Sequence, residues 1–370
     1  MFLSLREVRH SRLRTTLILA VIALVAWLVF LLSGLANGLA TDNGATLTRM
    51  DANGLVFEKD TRLFLHRSIL PMEMVDAVRA VDGVSDATPI GHLTVTITNE
   101  AGNERVDATV LGIDPDSFLA PDITRGESFA DAPAGSVVVD EELSRHGFSV
   151  GDMFKVTPAG TEFTIVGFTS DEKYNHLPVI FMPVSSWQDL KFASLAESGG
   201  IADPISAVAF QGNASALDAI GNSVDGVDVA TRQQVIEALP GYSSEMSTVK
   251  TILAFLFLIA SLVMTAFFYI ITLQKTNLLG VLKALGATTR TLALDLVGQV
   301  VLLTLVGAAV GALLANLTAA MIPANVPFSL SNDVVFVYGI VLIVVAALGS
   351  LLSVLRIARI DPLIAIGRVE

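Results

Sequence analysis

The sequence predicts a membrane protein of four transmembrane α-helices, with an α+β extracytoplasmic domain inserted between the first and the second. Three observations carry this expectation. Hydrophobic residues make up 52% of the 370 positions and charged residues only 16%, a balance too apolar for an ordinary water-soluble protein. Four uncharged runs, Thr16–Ala40, Thr251–Gln274, Leu296–Ile322 and Val334–Leu355, each exceed the roughly 18–20 residues that cross about 30 Å of hydrocarbon. Acidic residues, finally, crowd between the first two runs. Residues 41–250 hold 31 Asp and Glu against 13 Lys and Arg, and the rest of the chain holds 5 against 10.

Residues 1–15 read as a basic amphipathic helix on the cytoplasmic side, with Leu5 and Val8 between Arg6, Arg9, Arg12 and Arg14. The first span, 16–40, has an apolar core about twice the 7–15 residues of a signal peptide, so it is expected to stay. Lys275, Lys283 and Arg290 lie in the loop 275–292 between the second span (251–274) and the third (293–322). Arg356, Arg359 and Arg368 lie in the tail 356–370 that follows the fourth span (333–355), while Pro323–Asn332 has no basic residue. Positive charge is retained in the cytoplasm, which puts both termini inside and residues 41–250 outside, in a multi-pass protein of the cell membrane.

The outer segment alternates strand-like runs with short helical ones. Leu93–Thr98, Val106–Ile113, Ser136–Val139, Phe163–Phe168, Val179–Met182 and Ala207–Gln211 are rich in Val, Ile, Thr and Phe, as strands are. Met72–Val81, Glu141–His146, Ser186–Ala196 and Gln233–Leu239 read as helices, with Pro71 suited to the first turn of one and Thr231 to the cap of another. An excess of 18 negative charges excludes electrostatic binding of nucleic acid. The absence of cysteine excludes disulfides and thiolate chemistry. No metal-ligand spacing or nucleophile motif is visible, so the chain is expected not to be an enzyme.

Two smaller patterns concern assembly. In Gln274–Leu292, QKTNLLGVLKALGATTRTL, the residues Leu278, Leu279, Leu282 and Leu285 recur at helical spacing, and Gly286 suits a left-handed helix end. The stretch lacks the Gly-Lys-Ser/Thr of a phosphate-binding loop, so any ATP chemistry belongs to another chain. Gly34 and Gly38 in the first span, like Gly307 and Gly311 in the third, are small residues four apart that allow close helix approach. The first pair is expected at a dimer contact and the second within one subunit. A first span of 25 residues reaches about 37 Å, placing Asn37, Asp42 and Asn43 at the outer interface.

Three segments, SLREVRHSRLRTTL before the first span, LLGVLKALGATTRTL between the second and third, and ARIDPLIAI at the end, resemble the permease subunits of MacB/FtsX-type (type VII) ABC transporters. The resemblance implies a partner ABC ATPase in two copies that binds the ATP and Mg, a permease homodimer in membrane lipid, and a coupling role for Leu278, Leu279, Leu282, Lys283, Leu285 and Gly286. Further segments, among them FLLSGLANGLATDN, IPANVPFSLS, IVGFTSDEKYNHLPVI and LPGYSSEMSTV, are similar to the HrtB-like haem-exporter permeases. That similarity implies export of haem from the membrane by mechanotransmission, with Tyr174 and Tyr242 beside Asp42 and Asn43. Tyrosine oxygen is a ferric-haem ligand, and His176, Met50 and Met246 are further ligand candidates. Asp42 stands where HrtB-like chains tend to carry Glu. Export of another amphipathic molecule (macrolide, peptide or lipid) and FtsX-like signalling to an extracellular partner are the alternative readings.

Overall fold

The computed structural model of the protein describes residues 12–99, 104–130, 132–192, 199–323 and 326–358. The predicted amphipathic helix before residue 12 and the Asp361–Pro362 motif lie outside the described residues. Two compact units emerge, one formed by Met1–Leu39 with Met246–Glu370 and the other by Ala40–Glu245.

Four helices, Arg12–Arg49, Tyr242–Gln274, Thr289–Ala319 and Asn332–Ala358, are long and apolar enough to cross a membrane. Their outward positions are as apolar as their inward ones: Phe255, Leu262, Leu313 and Phe336 are exposed, whereas Ala26, Val300 and Leu342 are fully buried. Helices that are hydrophobic all round are membrane spans. Gly307 and Gly311 behave as expected, packing within the chain. A Cβ on Gly307 would come within 2.4 Å of Ile22, and one on Gly311 within 2.7 Å of Ala26.

The Gly34–Gly38 face meets the chain's own segment before the fourth helix. A Cβ on Gly34 would lie 2.5 Å from the Phe328 ring, and one on Gly38 2.3 Å from the Pro327 carbonyl oxygen. The Ser329 N–H donates to the Gly34 carbonyl (3.0 Å), and the Asn37 amide donates to the Ser329 carbonyl (3.1 Å). Two glycines leave a groove, and an aromatic ring occupies it.

The predicted helix in the basic loop forms over Thr276–Ala284, and Gly286 follows it at φ +96°. Thr288 then caps the third long helix, accepting from the Thr291 N–H at 3.2 Å. The apolar face of Thr276–Ala284 is partly covered. Leu279 and Leu282 pack with Ala287 against Leu292 and Leu296 of the third helix, because the tight turn at Gly286 folds the two helices onto each other. Val281 and Leu285 stay exposed, Leu285 at 79%. The Leu278 side chain lies outside the described residues.

In the other unit eleven strands build a mixed sheet, two of them the two-residue pieces Arg125–Gly126 and Lys173–Tyr174 and nine longer ones: β1 (Gly54–Glu58), β2 (Val84–Asn99), β3 (Arg105–Ile113), β4 (Ser136–Asp140), β5 (Met153–Thr157), β6 (Glu162–Thr169), β7 (Leu177–Pro183), β8 (Ala207–Gly212) and β9 (Val227–Thr231). They run in the order β9-β1-β8-β2-β3-β7-β4-β6, with β5 bridging β2 and β6. The β3–β7 and β4–β6 pairs are parallel. Side chains alternate across a strand, so β1 sends Leu55 and Phe57 into one core and Val56 into another. Likewise β3 sends Leu111 and Ile113 one way, Ala108 and Val110 the other. Each fully buried Leu or Phe contributes about 1.5–3 kcal/mol.

All six predicted strands lie within observed ones. Among the predicted helices, Thr231 does cap Arg232–Ala238 through a reciprocal capping box with Gln234. Pro71 does not open a helix turn. It pairs in a short strand with Pro204, ahead of the helix Glu73–Arg79. The first long helix continues past Ala40 to Arg49, and the second begins at Tyr242, well before Thr251. Asp42 and Asn43 are therefore helical residues.

Candidate functional site

The end of the first long helix is bent at Gly44, whose φ of −140° and ψ of 28° depart from helical values. Sharp bends arise where another group enters the backbone ladder. Here the carbonyls of Asn43 and Asp42 accept from the backbone N–H groups of Asn175 (2.7 Å) and His176 (3.1 Å). Asn175 and His176 form the turn of a tight hairpin in which Lys173 and Tyr174 pair with Leu177 and Pro178. Both turn residues have positive φ, 52° and 65°, an uncommon conformation that side-chain partners must hold in place.

Those partners form a polar cluster. The Asp42 carboxylate meets the Lys173 ammonium through one oxygen and His176 Nδ1 through the other, the latter at 3.1 Å. Lys173 also reaches Glu142 at 2.7 Å. On the far side of the imidazole, Nε2 lies 3.0 Å from the Asn43 amide nitrogen and 3.5 Å from Glu245 Oε2. The Asn43 amide donates to Glu245 as well, at 3.1 Å. Burial lowers the Lys173 pKa, but the two carboxylates outweigh it and hold the ammonium above its ordinary value.

This arrangement gives His176 two useful states. Neutral, it donates from Nδ1 to Asp42 and accepts at Nε2 from Asn43, a hydrogen bond that any metal at Nε2 would have to displace. Protonated, it bridges the carboxylates of Asp42 and Glu245. Its side chain is 35% exposed, against 15% for Asp42, so the imidazole is the accessible member. The side-chain amide oxygen of Asn43, Oδ1, is buried with no hydrogen-bond partner among the described residues.

The structure thus unites Asp42, Asn43 and His176, and adds Lys173, Glu142 and Glu245. It separates the other candidates. Tyr174 is 5% exposed, its ring 5.0 Å from that of His92 inside the core, and burial pushes its phenol well up. Met50 is in the same core, and its carbonyl accepts from Arg232. Tyr242 is half-buried against that core, its hydroxyl raised by desolvation and by Glu237. Met246 belongs to the unit of long helices. Glu142 and Glu245 escaped sequence reasoning because nothing local distinguishes them from the many surface carboxylates. Glu245, three residues after Tyr242, is the one whose position at a helix start offered a signal.

A bundle of four membrane-spanning helices interrupted by a mixed α/β domain defines a membrane protein with an extracytoplasmic domain. Comparison with known proteins narrows this. The MacB-like periplasmic core domain matches residues 15–234, and the FtsX-like permease C-terminal domain matches residues 250–362. The chain belongs to the MacB/FtsX-type family of ABC transporter permeases, whose members are non-catalytic and work with an ATPase partner. It is 28% identical, over 99% of both chains, to a Staphylococcus epidermidis protein named for hemin transport as the permease HrtB. It is 24% identical, again over 99% of both, to an ABC transporter permease of Mycobacterium tuberculosis. The solved extracellular domain of the ABC-type transporter YknZ from Gram-positive bacteria aligns at 16% identity and a TM-score of 0.35, covering 49% of this chain and all of that one.

Proposed function

We propose that this permease exports haem from the membrane, driven by two copies of a separate ATPase, and that it does so as a homodimer with both termini cytoplasmic. The observation that carries this reading is its full-length similarity to a permease named for hemin transport. The chemistry at the end of the first long helix supports it. Haem carries an iron that seeks a ligand and two propionates that seek cations. His176 offers an oriented imidazole, and Lys173 offers an ammonium 24% exposed. Tyr242 keeps part of its ring outside the core and is a second ligand candidate. Tyr174 and Met50 then act as packing residues beneath the site. In this reading the cargo partitions into the bilayer, and ATP-driven motion reaches the permease through the short helix Thr276–Ala284, chiefly through exposed Leu285.

The test is an absorption titration of the full-length permease in nanodiscs with haemin. A saturable Soret shift, changed in position by His176→Ala or Tyr242→Phe and unchanged by Met50→Leu, is expected. A spectrum identical to empty nanodiscs at every haemin concentration would overturn haem as the cargo.

A further inference from the structure

A cavity of about 220 Å³ opens beside the bent end of the first long helix, on a different set of residues from the His176 cluster. That is the volume of about seven water molecules, far too small for a porphyrin. Its floor is apolar, with Leu111 of β3, Phe181 of β7 and Phe118 from the loop after β3. The rest of its lining mixes uncharged residues, among them Met50, Ile113 and Leu119, with the charged Asp51, Asp122, Glu172 and Arg49, the Asp51 carboxylate also accepting from Gln211 at 3.0 Å.

Glu172 is the decisive group. It is 6% exposed, and its partner Arg49, at 3.3 Å, is shared with Asp171 at 3.6 Å. A desolvated carboxylate with a divided counter-ion is under-compensated. Burial accordingly raises the Glu172 carboxyl to about 7, against the opposing pull of Thr46 and Arg49. A cation entering the cavity would supply the missing charge, while its apolar part would displace water from Leu111 and Phe181 and face the Phe118 ring.

We propose that this cavity binds a compact amphipathic amine, with its ammonium on Glu172 and Asp122 and its ring or chain on the Phe118–Leu111–Phe181 floor. The ligand class follows from charge complementarity, three carboxylates against one guanidinium, and from the volume. Glu172 opens the hairpin that carries Lys173 and His176, and Arg49 and Thr46 belong to the first long helix. Occupancy therefore acts on the contact between helix and hairpin. The proposal stands independently of the haem reading.

The experiment is calorimetric titration of the full-length permease in nanodiscs at pH 8 with phenethylamine, phenethyl alcohol and phenylacetate, with empty nanodiscs subtracted. Saturable binding of the amine is expected, at least tenfold weaker for the alcohol and for Glu172→Gln, and abolished by Ala120→Trp, which fills the mouth from an exposed position. Tighter binding of phenylacetate would overturn the proposal in favour of an anion site on Arg49. Amine binding indifferent to both substitutions would reduce it to partition into lipid, and no saturable heat up to millimolar amine would equally refute it.

Discussion

Replacing Glu172 by Gln should stabilise the sheet-containing unit at alkaline pH by an amount set by the burial of one carboxylate. In the folded protein this group titrates near 7, against an ordinary value of 4.5. Between those values the folded state holds a proton that the unfolded chain has released. Stability contributed by this site is therefore complete below 4.5 and is lost as pH rises through 7. At about 1.4 kcal/mol per pH unit, that interval amounts to about 3 kcal/mol. Gln cannot ionise, so the stability difference between variant and parent should grow by that amount from pH 4.5 to 8 and then level off. For a domain of this size it corresponds to a Tm difference of about 6–12 °C. Trp187 is fully buried in this unit, and in a Trp27→Phe background its fluorescence follows unfolding of the full chain in nanodiscs. His92 titrates in an overlapping range with the opposite sign, but it is common to both proteins and cancels in the difference. Parallel stability curves for variant and parent across pH 4.5–8 would show that Glu172 is ordinarily solvated, and would refute the reasoning.

Burial and Lys191 lower His92 to about 3, so the folded state keeps it neutral while the unfolded chain protonates below 6.5. Stability should fall as pH drops from 6.5 towards 3, and His92→Gln should flatten that acid limb in the same fluorescence assay. Gly311→Leu should disrupt packing of the third helix on the first, costing at least 1–3 kcal/mol, because a Cβ there already lies 2.7 Å from Ala26. Gly298→Leu should be tolerated, since nothing stands within 4 Å of its Cβ, and chemical unfolding in detergent separates the two. Leu285→Asp should abolish stimulation of the partner ATPase with membrane insertion intact, whereas Leu279→Asp should also lower yield, because Leu279 packs on Leu292 and Leu296. Equal ATPase activity with Leu285→Asp and parent permease would remove Leu285 from the coupling contact.

The membrane helices were readable because each is built on a long, uncharged apolar run set apart by a polar or turn-rich segment, and the six predicted strands because Val, Ile and Thr runs mark the sheet interior. What the residues hid were ends and short pieces. The first and second long helices continue beyond their apolar runs into Thr41–Arg49 and Tyr242–Lys250, where polar side chains conceal a helix from hydropathy. β1, β5 and β9, five residues each, lack the unbroken β-branched run that marks the equally short β4 at Val137–Val139. The Gly34–Gly38 pair signalled close approach correctly but could not name the approaching chain, since Phe328 lies almost three hundred residues away.

The site divides along the same physical line. Asp42 and Asn43 were legible from the length of the first span, but their partner His176 is 134 positions distant, and its contact depends on the bend at Gly44. Tyr174 shows why proximity in sequence misleads. In the two-residue strand Lys173–Tyr174, neighbouring side chains must point to opposite faces. With Lys173 drawn to Asp42 and Glu142, the tyrosine is committed to the core beside His92. Any group on this hairpin that faces away from the core must therefore lie on the side of Lys173. The turn residue His176, at φ 65° and 3.1 Å from Asp42, is 35% exposed, whereas Tyr174 is buried, so strand alternation alone removes the phenol from the outward face of the hairpin.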